Sequence, residues 1–152
     1  MKKYFIYYSY TGNGDYLATI MKDLGFELIK VETIKEYGKL TFFKMLCLGR
    51  DAMIKKQEPI KELGLDIKED DLVVIGSPIW NDRLSTPINT VLKTLELDKE
   101  TTKFILYPAG ATTKKALKQI NRLAFMQSPV IIASPLKHQE QARQIIGSFI
   151  SK

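Results

Sequence analysis

The 152-residue chain predicts an α/β fold, a parallel β-sheet with helices on both faces. Three observations carry this. Five short apolar runs recur along the chain, and stretches of helical periodicity separate most of them. One run, DLVVIGS at 71–77, is apolar on both faces, as a strand buried within a parallel sheet must be. Length agrees with a single domain over 1–152, large enough to bury a core without staples. At 45% hydrophobic and 26% charged residues the composition is that of an ordinary globular protein.

Residues 3–9 (KYFIYYS), β-branched and aromatic, predict the first strand. Tyr16, Leu17, Ile20, Met21 and Leu24 then share one face of a helix over 14–24. Gly25 stops it, and 26–31 form the second strand. Residues 33–64 are less regular: LTFFKMLCLGRDAMI predicts one helix or two short ones about Gly49, followed by a polar surface loop. The third strand ends at Ser77, with Pro78 stiffening its exit and Trp80 in a polar loop. Ile88, Val91, Leu92 and Leu95 mark the next helix, with Thr86 as N-cap and Pro87 in the first turn. A fourth strand at 103–107, a helix at 113–123, a fifth strand at 130–134 and a closing helix at 139–150 complete the pattern. Right-handed crossovers then give a sheet whose ligand sits at the carboxyl ends of the strands. The loops to read are SYTGNG (9–14), SPIWNDRLST (77–86) and PAGATT (108–113).

Several classes are excluded. The lysines and apolar run at the start are too short and too aromatic for a secretory leader. No window approaches a membrane span. A single cysteine, Cys47, forms no internal disulfide, fits a cytoplasmic protein, and reads as buried and inert. With His138 the only histidine, no transition-metal site is expected. His138 falls at the start of the last helix, away from the predicted ligand edge, and takes no role. The net charge of +6 is uneven: residues 101–152 hold eight Lys/Arg against Glu140 alone, and the first hundred are close to neutral.

SYTGNG follows a strand and opens a helix, so it presents free backbone N–H groups and the positive end of a helix dipole. Gly12 and Gly14 let the backbone approach an anion, and Ser9 and Thr11 add hydroxyls on alternate positions. The Walker pattern fails, lacking its Lys and its spacing. The dinucleotide fingerprint matches in part: Leu17 stands where its last Gly belongs, while Glu32 lies twenty residues past Gly12. A plain turn with a good helix start is the third reading. Trp80, the only tryptophan, either packs beneath its own loop or offers a stacking face for a planar ring. Asn81, Asp82 and Arg83 beside it either hydrogen-bond a ligand edge or solvate the loop.

Together these segments resemble the flavodoxin family. Its phosphate loop reads roughly [TS]-x-T-G-x-[TS], matched here at Ser9, Thr11 and Gly12. Its third strand commonly ends in G-[ST]-P-x-W, matched by Gly76, Ser77, Pro78, Ile79 and Trp80. The resemblance covers nearly the whole chain, and the uninterrupted fifth strand is that of short-chain members. It implies a flavodoxin-like three-layer sandwich, a five-stranded parallel sheet of order 2-1-3-4-5, noncovalently bound FMN, and electron or hydride transfer. By this resemblance Ser9, Tyr10, Thr11, Gly12, Asn13 and Gly14 hold the FMN phosphate. Pro78, Ile79, Trp80 and Asn81 border the isoalloxazine, with Ser77 heading that loop, and Pro108, Ala109, Gly110 and Ala111 line its other edge.

Three departures stand out. Gly14 takes the place of the loop's last Thr or Ser, removing a hydroxyl. PAGATT carries no aromatic for the second flavin face, although Tyr107 precedes it, which leaves the ring open on one side. Electron-carrying flavodoxins are typically acidic, and this chain is basic. The expectation is therefore an FMN-binding electron-transfer protein. The alternatives are an NAD(P)H-dependent FMN or quinone reductase, often a homodimer, and a flavodoxin-like interaction module without catalysis. Lys114, Lys115, Lys118 and Arg122 form a basic stripe on helix 113–123. That stripe is either a solvated face or the docking place of a redox partner or nicotinamide cofactor. No nucleic-acid module is recognisable. No catalytic side chain is singled out, because the flavin would do the redox work.

Overall fold

The computed structural model of the chain describes residues 1–35, 41–53, 57–110 and 112–151. In chain order the elements are β1 (Lys3–Tyr7), α1 (Asn13–Asp23), β2 (Glu27–Lys30), α2 (Phe42–Met53), β3 (Leu72–Trp80) and β4 (Arg83–Leu84). There follow α3 (Thr86–Thr94), β5 (Lys103–Tyr107), α4 (Lys114–Arg122), β6 (Val130–Ile131) and α5 (Gln139–Ile150). The strands run β2-β1-β3-β5-β6, all parallel, with β4 turned back antiparallel on β3. Counting the five parallel strands alone, this is the order 2-1-3-4-5.

The pleat explains the three layers. Tyr4 and Ile6 of β1 join Val73, Ile75, Phe104 and Leu106 on one face, where Ile88 and Val91 of α3 and Ala116 and Ile120 of α4 pack. The alternate residues Phe5, Tyr7, Val74, Ile105 and Tyr107 point the other way, onto Leu17 and Met21 of α1 and Ala142 and Ile146 of α5. All of these side chains are buried. Burying two faces at roughly 25 cal/mol per Å² of apolar surface is what fixes the register, because a one-residue slip exchanges both sets at once.

Four expectations need correction. β3 does not end at Ser77 but runs on to Trp80, then reverses through Asn81 (φ 47°) and Asp82 (φ 67°) into β4. Both turn residues are left-handed, the geometry of a two-residue hairpin turn, and Asn and Asp tolerate it best after glycine. Ser85, not Thr86, is the N-cap of α3, and Thr86 lies fully buried in its first turn. β6 is shorter than 130–134, since Ser134 turns left-handed (φ 44°), although the Ile132 and Ser134 N–H groups still bond to the Leu106 and Pro108 carbonyls. Cys47 is only partly buried, on a helix whose Leu48 faces inward while Phe43 and Leu46 are exposed. Among the described residues, no helix is long and apolar enough to cross a membrane.

Candidate functional site

The carboxyl ends of β1, β3 and β5 gather the three predicted loops on one edge of the sheet. The first is shaped by Gly12, whose φ of 91° lets the chain turn sharply into α1 as its N-cap. Ser9 Oγ accepts the Asp15 N–H at 3.1 Å, and Asn13 Nδ2 donates to Thr11 Oγ1 at 3.3 Å. The backbone N–H groups of Thr11, Gly12, Asn13 and Gly14 find no acceptor among the described residues. Four unpaired donors at the positive end of a helix are an anion site in the making. The hydroxyl of Ser9 is thus partly committed to holding the helix start, and Thr11 is the exposed one.

Beside this loop stands a cluster of three rings. Trp80 meets Tyr8 edge-on at 5.6 Å between centroids and Tyr10 edge-on at 6.4 Å. Its ring is half-buried against the core. Trp80 is therefore a strand residue packed between two tyrosines, not a free loop aromatic. Ser77 is fully buried: its hydroxyl donates to the Pro78 carbonyl at 2.8 Å and accepts the Ser85 N–H at 3.2 Å, so it supports the hairpin from beneath. Ile79 is buried and Pro78 half-buried, while Asn81 is exposed at the tip. In the same turn Asp82 Oδ1 and Arg83 Nε are buried without a hydrogen-bond partner. Buried orphans of this kind are rare in folded proteins and mark a place where a ligand can supply the missing bond. The Asp82 carbonyl accepts the Ala116 N–H at 2.8 Å, tying the turn to the first turn of α4.

In the third loop Pro108 is buried, Ala109 and Gly110 are exposed, and Gly110 has φ 126°. Ala111 lies outside the described residues.

Three features of the site lie outside the predicted loops. Tyr8, the last ring before SYTGNG, belongs to the aromatic cluster. A fourth loop, after β6, leans on the first: the Leu136 N–H donates to Asn13 Oδ1 at 3.1 Å, and the Tyr16 hydroxyl donates to the Gln139 carbonyl at 3.2 Å. The start of α5 is therefore not remote from the site, although no side-chain hydrogen bond among the described residues draws His138 itself into it. The Ser-Pro pair closing the fifth apolar run, Ser134-Pro135, was the signal for this loop. Third, the buried Tyr107 hydroxyl donates to the Tyr8 carbonyl.

Charges near the loop are paired. Asp15 Oδ1 lies 2.6 Å from Lys30 Nζ and accepts the Tyr7 hydroxyl at 3.4 Å. Burial, then the Asp15 charge, pushes the Tyr7 hydroxyl up to about 12. Glu32, the acid of the dinucleotide reading, is bound at 2.6 Å by Lys61, which holds its carboxyl below the usual range. Its charge is thus partnered by a side chain.

No family model matches the sequence, and no curated protein matches it. Solved structures do. A flavoprotein in complex with FMN from Lactobacillus acidophilus NCFM superposes with a TM-score of 0.68 at 22% identity, over 91% of this chain and 97% of that one. A provisionally named flavoprotein from Bacteroides eggerthii DSM 20697 gives 0.68 at 19% identity, over 99% of both chains. Another such protein, from Bacteroides uniformis ATCC 8492, gives 0.69 at 17% identity, over 96% and 97%. At such identities the likeness establishes the fold, which is that of the flavodoxin-like flavoproteins.

Proposed function

We propose that this chain binds FMN at the carboxyl edge of its sheet and acts in electron transfer. The observation that carries the reading is the run of four unpaired N–H groups, Thr11 to Gly14, set beside the Tyr8–Tyr10–Trp80 cluster. Dipoles for a phosphate and a ring surface for a planar heterocycle stand side by side, and the orphaned Asp82 Oδ1 and Arg83 Nε offer an acceptor and a donor near the same edge. The FMN bound by the Lactobacillus flavoprotein of like fold supports the choice of ligand.

When bound, FMN supplies the one- and two-electron redox chemistry. The chain's part is to hold and orient it. Backbone N–H groups with the Ser9 and Thr11 hydroxyls would take the phosphate. The hairpin at Pro78–Asn81 and the loop at Pro108–Gly110 would flank the ring, with one side left open where the third loop has no aromatic.

That open side, with the basic face of α4, favours a second reading, an NAD(P)H-dependent FMN or quinone reductase. Lys114, Lys115, Lys118 and Arg122 are all exposed, and none forms an ion pair among the described residues. A redox partner protein of acidic surface, or nicotinamide cofactor phosphates, would be drawn to them.

The test is to release the ligand of the purified protein by denaturation and identify it by mass. FMN, with visible absorbance in the native protein, is the expected result. A colourless protein that takes up no added FMN overturns the proposal and leaves an interaction module of the same fold. Anaerobic addition of NAD(P)H then separates carrier from reductase, since only the reductase bleaches directly.

A further inference from the structure

The anion loop departs from the flavodoxin pattern at Gly14, where a Ser or Thr hydroxyl is expected, and the structure shows what occupies that space. A Cβ at Gly14 would lie 2.8 Å from Tyr107 Oη, 2.9 Å from Ser9 Cβ and 2.9 Å from the Tyr8 carbonyl oxygen. Real Cβ atoms do not tolerate such contacts. Tyr107 reaches this point from the end of β5, across β3, where Pro78 is its register partner and Gly76, two residues earlier, has no side chain. A Cβ at Gly76 would itself meet the Phe5 ring at 2.8 Å.

We propose, resting on the FMN reading above, that Tyr107 is a positioning residue of the anion loop. Its hydroxyl is fully buried and donates to the Tyr8 carbonyl, the last acceptor before Ser9, while Gly14 lies against the same hydroxyl. One group thus fixes both ends of the six-residue turn. With that hydroxyl already bonded inward, it gives no donor to a ligand. The loop has exchanged the family's last hydroxyl for a wedge that holds its N–H groups in place. Burial drives the Tyr107 hydroxyl well above its ordinary range, so it stays a neutral donor at any physiological pH.

Two variants make this testable against motif reasoning. Gly14→Thr restores the family's hydroxyl and by the motif alone should tighten FMN; the wedge predicts that it abolishes binding or folding. Tyr107→Phe keeps the ring and removes only the bond, so folding is checked by circular dichroism. Binding of FMN is then compared with riboflavin, which lacks the phosphate. For Tyr107→Phe, FMN affinity is expected to fall about tenfold, the value of one buried hydrogen bond, with riboflavin affinity within about twofold of the parent.

An equal loss for both ligands would make Tyr107 a general packing residue, and no loss for either would show that the bond positions nothing. Either result overturns the inference, as does tighter FMN binding by Gly14→Thr. The parent protein separates the two levels. If it binds neither ligand, the FMN reading itself fails and this inference with it. If it binds both equally well, FMN stands but its phosphate is not in this loop, and only the inference falls.

Discussion

Tyr7, Tyr8 and Tyr107 crowd the edge where the anion loop begins, each at most 5% exposed. Burial is the first cause that raises all three hydroxyls, with Asp15 adding to it at Tyr7. In the unfolded chain such hydroxyls ionise near 10, while Tyr7 in the folded protein waits until about 12. The folded state therefore holds more protons than the unfolded one across this window, and stability falls as pH rises through it. Below pH 10 the contribution is intact. We expect the urea midpoint to be level at neutral pH and to drop between about pH 10 and 12, and Tyr7→Phe to shallow the drop. An identical alkaline limb in Tyr7→Phe would show that this hydroxyl is not linked to folding. At this scale the strand–turn–helix geometry of Ser9 to Gly14 was legible, because these residues are neighbours in the chain and their interactions are local. It could not name Tyr107 as the loop's support, since the bond to Tyr8 spans 99 positions and depends on strand order. Gly14 likewise reads as a missing hydroxyl until the tyrosine beside it is seen.

The hairpin of β3 and β4 shows why element boundaries mislead. Ser77-Pro78 is a strong stop signal, and a run of polar letters after Trp80 suggests a loop. Yet Pro78 sits within the strand, opposite Tyr107, and the reversal comes only at Asn81-Asp82. The signal for that reversal, an Asn-Asp pair between Trp80 and Arg83, is weaker than Asn-Gly and reads equally well as a ligand contact or as loop solvation. What closes the hairpin is Ser77. Its oxygen accepts the Ser85 N–H and lies 3.2 Å from the Ser85 hydroxyl, and both serines are fully buried. Ser77→Ala leaves that N–H without an acceptor in a dry place, at a cost of roughly 1–3 kcal/mol. A lower denaturation midpoint is expected, together with weaker flavin binding as Trp80 and the Asn81–Arg83 turn loosen. A variant as stable as the parent would mean that water reaches Ser85. The matching serine at the G-[ST]-P-x-W motif is therefore explained by the hairpin it closes at the sheet's carboxyl edge.

For the whole molecule, the three-layer order was legible because two-sided burial leaves a near-continuous apolar run in β1, β3 and β5, whereas the segment 33–64 was not, α2 burying Leu48 while exposing Phe43 and Leu46. The charge asymmetry was legible too, and the structure gives it an energetic sign. α4 carries no acid in its first turn, and Lys114 and Lys115 open it at the positive end of its dipole, with Lys118 one turn on. Cations there are disfavoured by about 0.3–1 kcal/mol each, so the arrangement works against the helix it sits on. Arg122 alone lies at the favourable end. Sequences that keep a locally unfavourable feature commonly do so at a functional surface. Replacing Lys114 and Lys115 with Glu should therefore raise the melting temperature slightly, while slowing reduction by NAD(P)H or an acidic redox partner at low salt. The rate difference should shrink as ionic strength rises past about 0.15 M, where screening acts within about 8 Å. Stopped-flow rates at several salt concentrations, alongside thermal melts, measure both halves. If stability rises and the rates stay level at every salt concentration, the stripe is only a solvated face.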